Sequence, residues 1–142
     1  MSHLIYLIGS LRNPRIPEIG VALRQAGHVG FDDWFAAGPV ADDSWRDYEK
    51  ARGRSYKEAL DGHAALHVFR FDWTHLQAAT AGVLVLPCGK SGHIEFGYLT
   101  GQNKPTFVLM DEPEDRWDVM YCFADQVCYT IEELTSALHT TA

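Results

Sequence analysis

Residues 82–101 read GVLVLPCGKSGHIEFGYLTG, where an apolar run passes through a glycine-containing loop into a helical pattern. The run 82–87 is apolar throughout, so a strand formed by it has two apolar faces. This is typical of a strand buried between two layers of helices. The loop 88–91 follows, and the predicted helix extends over 92–101. A buried strand, a short loop and a helix form half of a parallel βαβ unit.

Similar apolar runs occur on both sides of this stretch. Residues 4–8 and 106–110 are nearly continuous apolar runs, and 28–32 and 127–129 are shorter candidate strands. Helical patterns separate them, at 16–26, 44–60, 61–69 and 117–125, and a last helix begins with a Thr130 and Glu133 capping box. This alternation predicts an α/β three-layer sandwich with a parallel sheet of about five strands, flavodoxin-like or Rossmann-like.

The composition is that of one soluble domain spanning 1–142 and excludes several classes of protein. Hydrophobic residues make up 46% of the 142 residues, and the formal net charge is −7 without a basic cluster. Long nucleic acid is therefore not an expected partner, and no apolar stretch is long enough for a membrane span. Three irregularly spaced cysteines and the absence of a leader pattern favour a reducing, cytoplasmic location.

Parallel sheets bind ligands beyond the carboxyl ends of their strands, so the segments 9–13, 32–39 and 88–95 are the candidate site. Free N–H groups at the start of the helix make Ser91 and Gly92 candidates for binding an anion. After the first strand, the turn supplies amide, hydroxyl and guanidinium donors that suit a phosphate: Gly9, Ser10, Arg12 and Asn13. The alternative is an ordinary surface turn with a solvated arginine.

Four further side chains are candidates, and each has a simpler alternative. Glu95 is expected in the first turn of its helix, facing the crevice, or it merely complements the helix dipole. Tyr6 lies within the first strand, where a buried hydroxyl needs a partner such as a carboxylate across the crevice. Asp72 is expected just before a short helix, either as an N-cap or as a group that exchanges a proton with a nucleobase. Trp34 either walls the ligand or belongs to the core.

Together these segments resemble the nucleoside 2-deoxyribosyltransferase family and the related nucleoside 5′-monophosphate N-glycosidases. The resemblance covers most of the chain, and its marks are the Ile5-Tyr6 strand, the turn 9–12, Asp72, and the helix start 91–97 followed by Gly101, Lys104 and Pro105. It implies that Glu95 attacks C1′ of the sugar and forms a covalent glycosyl-enzyme, which water or a second base then resolves. No metal or organic cofactor is implied.

The same resemblance implies roles for the other candidates. Tyr6 would hold the glutamate, Asp72 would assist the leaving base, and the turn 9–12 would hold a 5′-phosphate. Two departures, Lys90 in place of an aspartate and a shorter spacing to Glu95, put base exchange in doubt and favour a phosphate-bearing substrate. Alternatives are a hydrolase of NAD-like dinucleotides and a non-catalytic nucleotide sensor.

Family members also lend an Asn-x-Met stretch to a neighbouring subunit. The matching residues here are Asp118, Val119 and Met120. The resemblance therefore implies a homodimer or larger homo-oligomer whose active sites are shared, with Asp118 and Met120 among the substrate-binding residues.

Overall fold

The computed structural model describes residues 2–141 and contains one five-stranded, fully parallel sheet. The spatial order of the strands is β2-β1-β3-β4-β5. They are β1 (Leu4–Ile8), β2 (Val29–Phe31), β3 (Ala81–Val85), β4 (Thr106–Leu109) and β5 (Gln126–Cys128). This order is that of flavodoxin-like sheets, so the predicted fold class is confirmed.

Helices cover both faces of this sheet. They are α1 (Ile16–Gln25), α2 (Ala41–Ala51), α3 (Tyr56–Ala59), α4 (His63–Ala78), α5 (Lys90–Gly101) and α6 (Ile131–Thr141). Two short 3-10 helices, Asp33–Ala37 and Val119–Phe123, lie in the connections. Within residues 2–141, no helix combines the length and the apolar character needed to cross a bilayer.

Strand β1 divides its side chains between the two layers. Ile5 and Leu7 pack on one face with residues of α1 and α6. Tyr6 and Ile8 point to the other face, where they pack with residues of α4 and α5. All four side chains are at most 1% exposed. The strand is therefore apolar throughout because both of its faces are covered, and the phenol of Tyr6 is directed into the α4/α5 layer.

Helix α4 differs from its sequence-based prediction. We expected a helix over 61–69 and Asp72 at the start of the next one, but α4 is continuous from its N-cap, Gly62, to Ala78. Asp72 therefore lies inside the helix, and its prediction as an N-cap is wrong. The polar residues that follow it bond within the helix: Thr74 Oγ1 donates to the carbonyl of Arg70, and His75 Nδ1 lies 2.9 Å from the carbonyl of Phe71.

The predicted helix over 44–60 is interrupted. Helix α2 ends at Ala51, and Gly53 follows with a φ of 74°, a left-handed conformation that favours glycine. Helix α3 then begins behind Ser55, which forms a reciprocal capping box with Glu58. A positive φ and a new cap thus end one helix and start another where the hydropathy pattern alone is continuous.

Helix α5 begins at Lys90, two residues earlier than expected, so Glu95 lies in its second turn rather than its first. A Cβ on Gly92 would overlap Cys88 Sγ and lie 3.1 Å from Ile8, so this glycine allows the helix to approach β1. Gly97, by contrast, is exposed and has no such close neighbour. The close approach of helix and sheet depends on Gly92 rather than on Gly97.

The order in which the chain adds strands reverses at β1 and β3, which are hydrogen-bonded neighbours. From β1 the chain continues to β2 on one side, and from β3 it continues to β4 and β5 on the other. After β1 the chain enters α1 on one face, and after β3 it enters α5 on the other. Connections that diverge in this way leave a crevice above the two strands, the usual ligand position in such folds.

Candidate active site

The centre of the crevice is a hydrogen bond between Tyr6 and Glu95. The Tyr6 hydroxyl donates to Glu95 Oε2 at 2.7 Å, joining β1 to the second turn of α5. Tyr6 is 1% exposed, so the bond is held by a ring that is fixed in the core. One carboxylate oxygen of Glu95 is therefore anchored.

A second carboxyl group, that of Asp72, reaches the same place from α4. Asp72 lies one helical turn before Leu76, which packs in the same buried cluster as Tyr6, and the charge of Asp72 acts to raise the pKa of both Glu95 and Tyr6. Asp72 is partly buried, and its Oδ1 atom has no hydrogen-bond partner within the described chain. The structure thus brings together the three residues predicted as catalytic.

Burial sets the protonation of these carboxyl groups. Burial raises the pKa of Glu95 to about 7, with the hydrogen bond from Tyr6 opposing this rise and the charge of Asp72 adding a smaller part of it. Burial also raises the pKa of Asp72, against the opposing effect of His75. Two carboxyl groups with raised pKa values in one crevice are suited to general acid and base chemistry near neutral pH.

The turn after β1 is closed by its own side chains. Ser10 Oγ accepts the N–H of Arg12 at 3.1 Å, and Asn13 Oδ1 accepts the N–H of Arg15 at 3.0 Å. The Arg12 guanidinium is exposed and lies 3.3 Å from a carboxylate oxygen of Asp43 at the start of α2. An exposed ion pair of this kind is weak, so the guanidinium remains accessible to an anion.

The start of α5 lies beside this turn in the fold, at the end of the neighbouring strand. Its N-cap is Gly89, which supplies no side-chain cap, and Ser91 in the first turn is exposed. Gly92 is buried and lies directly against the sulfur of Cys88. The structure gives Gly92 a packing role, and its contact with a sugar stays a prediction.

Trp34 belongs mainly to the core. Its ring N–H donates to the carbonyl of Leu7 at 2.8 Å, and the ring packs against the clusters on both faces of the sheet. A Cβ on Gly9 would lie 2.5 Å from Ile16 and 3.7 Å from Trp34, so Trp34 packs close to the backbone of Gly9. Trp34 closes the end of β1, and a ligand contact is not needed to explain it.

Several solved structures are similar to this chain, and one of them matches it over nearly its whole length. It is a 2-deoxyribosyltransferase from the psychrotolerant bacterium Bacillus psychrosaccharolyticus, with a TM-score of 0.65 and 14% sequence identity, covering 95% of this chain and 90% of that one. The chain has the fold of a 2-deoxyribosyltransferase. No family model and no curated protein matches the sequence.

In this deoxyribosyltransferase fold, the segment 118–123 has an inward and an outward side. Asp118 caps the 3-10 helix by accepting the N–H of Met120 at 2.8 Å. Val119 and Met120 are 75% and 55% exposed, whereas Tyr121 is half-buried and packs against Phe96. The residues predicted to serve a neighbouring subunit therefore point away from their own core.

In this deoxyribosyltransferase fold the two ring nitrogens of His93 contact Gly89 and Tyr121, a pairing that the sequence does not reveal. In the sequence, the available indication for His93 was its position, one helical turn after Gly89 and two residues before Glu95. The sequence held no comparable sign for Tyr121. Among residues 2–141, no three His, Cys, Asp or Glu side chains group as metal ligands.

Proposed function

We propose that this protein is an enzyme that cleaves the N-glycosidic bond of a (2′-deoxy)nucleoside or its 5′-monophosphate. The observation that carries the proposal is the Tyr6–Glu95 hydrogen bond of 2.7 Å at the β1/β3 crevice, with Asp72 beside it. The similar fold of a 2-deoxyribosyltransferase supports glycosyl transfer as the reaction class.

In the first step, the free carboxylate oxygen of Glu95 attacks C1′ of the sugar. The bond from C1′ to the base nitrogen breaks, and its electron pair stays on the base. Burial raises the pKa of Asp72 and so favours its acid form, and in that form Asp72 donates its proton to the leaving base. The products are a glycosyl ester on Glu95, a neutral base and the Asp72 carboxylate.

In the second step, an acceptor attacks C1′ and releases Glu95 as a carboxylate. With water as the acceptor, the Asp72 carboxylate takes the proton and the product is the free sugar or sugar phosphate. With a second base, the same proton transfer yields a new nucleoside. The catalytic groups are the same in both cases, and the departures at Lys90 and in the spacing to Glu95 favour water.

We infer that the 5′-phosphate binds between the turn 9–13 and the start of α5. The donors available there are the exposed guanidinium of Arg12, the hydroxyl groups of Ser10 and Ser91, and the N–H groups of the uncapped helix start. A dianion is attracted by both the guanidinium and the positive end of the helix dipole. This arrangement favours a monophosphate over the bare nucleoside.

We also infer a homo-oligomer in which Asp118 and Met120 complete the active site of a partner. The support is the exposure of large apolar side chains around the 3-10 helix Val119–Phe123. Trp117 is 85%, Val119 75% and Phe123 60% exposed. A cluster of this kind on a small protein marks an interaction surface.

A product panel tests the function. The protein is incubated with nucleosides, their 5′-monophosphates and NAD, with and without an acceptor base, and the products are separated by chromatography. We expect free base and sugar phosphate from a monophosphate, and loss of nearly all turnover in Glu95→Gln because an amide is a poor nucleophile. Glu112→Gln, in the exposed acidic loop, is the matched control.

Other outcomes of the panel identify the alternatives. Nicotinamide released from NAD as the main product identifies a dinucleotide hydrolase. Binding of nucleotides without any product identifies a sensor. Wild-type turnover in Glu95→Gln contradicts the assignment of the nucleophile.

A further inference from the structure

His93 contacts two different elements through its two ring nitrogens. Nδ1 lies 2.8 Å from the carbonyl oxygen of Gly89, the N-cap of α5, and Nε2 lies 3.0 Å from the hydroxyl of Tyr121. A carbonyl only accepts hydrogen bonds, so in the neutral ring Nδ1 carries the proton. Nε2 is then an acceptor, and the Tyr121 hydroxyl donates to it.

Tyr121 packs against the first two turns of α5, the helix that carries Glu95. Its ring stacks on His93, with centroids 5.9 Å apart and an interplanar angle of 29°. It also meets Phe96 edge-on, at 6.5 Å and 89°. His93 precedes Glu95 by two residues and Phe96 follows it directly, so Tyr121 contacts the helix on both sides of the nucleophile in sequence.

Tyr121 also anchors a segment that is otherwise largely exposed. Val119, Met120 and Phe123 in the same 3-10 helix are each more than half exposed, whereas Tyr121 packs against the buried cluster that contains Tyr6. Ring packing alone allows the phenol to slide or rotate. The bond to His93 fixes its hydroxyl end, and burial raises the pKa of this phenol, which keeps the donor proton in place.

We propose that His93 is a positioning residue that holds the 3-10 helix Val119–Phe123, through Tyr121, as one wall of the substrate crevice. The proposal rests on the proposed function of Glu95 and extends it. The reacting groups come from other places, since Tyr6 is on β1 and Asp72 on α4. Displacing the wall should therefore weaken substrate binding more than it slows the chemical step.

Two substitutions of His93 separate its two hydrogen bonds. The amide nitrogen of Asn in His93→Asn replaces Nδ1, so it keeps the bond to Gly89 and loses Tyr121. The amide oxygen of Gln in His93→Gln replaces Nε2, so it keeps the bond to Tyr121. Tyr121→Phe removes the hydroxyl and leaves the ring packing intact.

We expect His93→Asn and Tyr121→Phe each to raise KM roughly three- to tenfold, the effect of losing one hydrogen bond. The value of kcat should stay within about twofold, and the double variant should be no worse than either single one because both remove the same bond. His93→Gln should restore KM. If instead His93→Asn has the KM of wild type and His93→Gln has a raised KM, the bond to Gly89 is the one that matters. His93 then only stabilises the start of α5, and the proposal is overturned.

Hydrogen–deuterium exchange gives a second measurement that does not require turnover. The peptide covering 119–124 should exchange faster in His93→Asn and Tyr121→Phe than in wild type and His93→Gln. Equal exchange in all four proteins overturns the link. If the wild type cleaves no substrate in the panel, the proposed function fails, and the exchange order alone then upholds or overturns the link between His93 and the segment.

Discussion

At the scale of single residues, the carboxyl group of Glu95 is subject to two opposing influences. Burial raises its pKa to about 7, which favours the protonated form, while a nucleophile must be charged. The Tyr6 hydroxyl donates to the charged form and lowers the pKa. The tyrosine therefore increases the fraction of reactive carboxylate at neutral pH.

The first prediction concerns Tyr6→Phe. This change removes the hydrogen bond that lowers the pKa of Glu95, so the acid limb of the kcat/KM profile should move to higher pH. Rates measured from pH 5 to 9 on a cleaved substrate decide this. Because the carboxyl groups interact, the profile reports apparent values for the pair, and an acid limb that moves down contradicts the assignment.

The second prediction concerns stability. The folded pKa of Glu95 lies above its ordinary value of 4.5, so the folded state binds the proton more tightly, and stability is lost as pH rises from 4.5 through about 7. Glu95→Gln removes this titration. Its free energy of unfolding should exceed that of wild type at pH 8, by on the order of 1–3 kcal/mol, and the difference should shrink at pH 4.5. Denaturant titrations at the two pH values measure it, with Glu112→Gln as control.

At the scale of elements, the turn after β1 and the start of α2 share one ion pair. Arg12 faces Asp43, which also lies 3.5 Å from Arg46. A bound phosphate has to compete with this carboxylate for the guanidinium. The Arg12–Asp43 ion pair therefore lowers the affinity of the turn for an anion.

The third prediction follows from that competition. Arg12→Ala should raise KM for a 5′-monophosphate by about tenfold, as expected for losing a charge-assisted hydrogen bond, and leave the nucleoside little changed. Asp43→Asn should lower KM for the monophosphate because the guanidinium is released. Steady-state kinetics on both substrates test this. Equal specificity constants for the two substrates in wild type remove its basis.

The sequence predicted the elements whose patterns are local and missed those that depend on packing. Strands β1 and β3 are apolar because both faces are buried, so they are recognisable from hydropathy. Asp72 resembled a cap because aspartate usually occupies that position, yet α4 is continuous through it, and Thr74 and His75 bond to carbonyls of the same helix. The joint role of Tyr6, Asp72 and Glu95 was expected from the resemblance. The contact between His93 and Tyr121 is visible only in the structure.

At the scale of the whole molecule, titratable groups also lie at the amino ends of the strands, opposite the crevice. His3 and His28 are 8% and 7% exposed, and the N–H of His3 donates to His28 Nδ1 at 3.0 Å. The His3 ring also lies 3.1 Å from the hydroxyl of Thr80, just before β3. Burial, followed by the nearby His3, lowers the pKa of His28. The folded state therefore needs a neutral His28.

The fourth prediction is a loss of stability on acidification. The unfolded chain takes up a proton on His28 below its usual pKa of about 6.5, and the folded chain does so only at lower pH. The stability is thus complete above that value and decreases as pH falls. His28→Asn, whose amide oxygen replaces Nδ1 as acceptor, should flatten the decrease between pH 6.5 and 5. An identical pH dependence in both proteins contradicts it.

The fifth prediction tests the shared active site. Glu95→Ala and Asp118→Ala should each be weakly active or inactive alone. After dissociation, mixing and reassembly, heterodimers should contain one site with both residues intact. Random pairing then restores on the order of a quarter of wild-type activity, given two-fold symmetry. A fully active monomer in sedimentation, or no recovery on mixing, contradicts the shared site.

The distance along the chain between Tyr6 and Glu95 has a consequence for how the protein is made. The two residues are 89 positions apart, and β1 lies between β2 and β3 in the sheet. During synthesis, the first strand leaves the ribosome long before β3 exists to cover its second edge. Contacts between distant positions form late because closing the loop costs entropy. The Tyr6–Glu95 pair is therefore assembled only when most of the chain has been translated, and an activity that depends on this pair would report a completed fold.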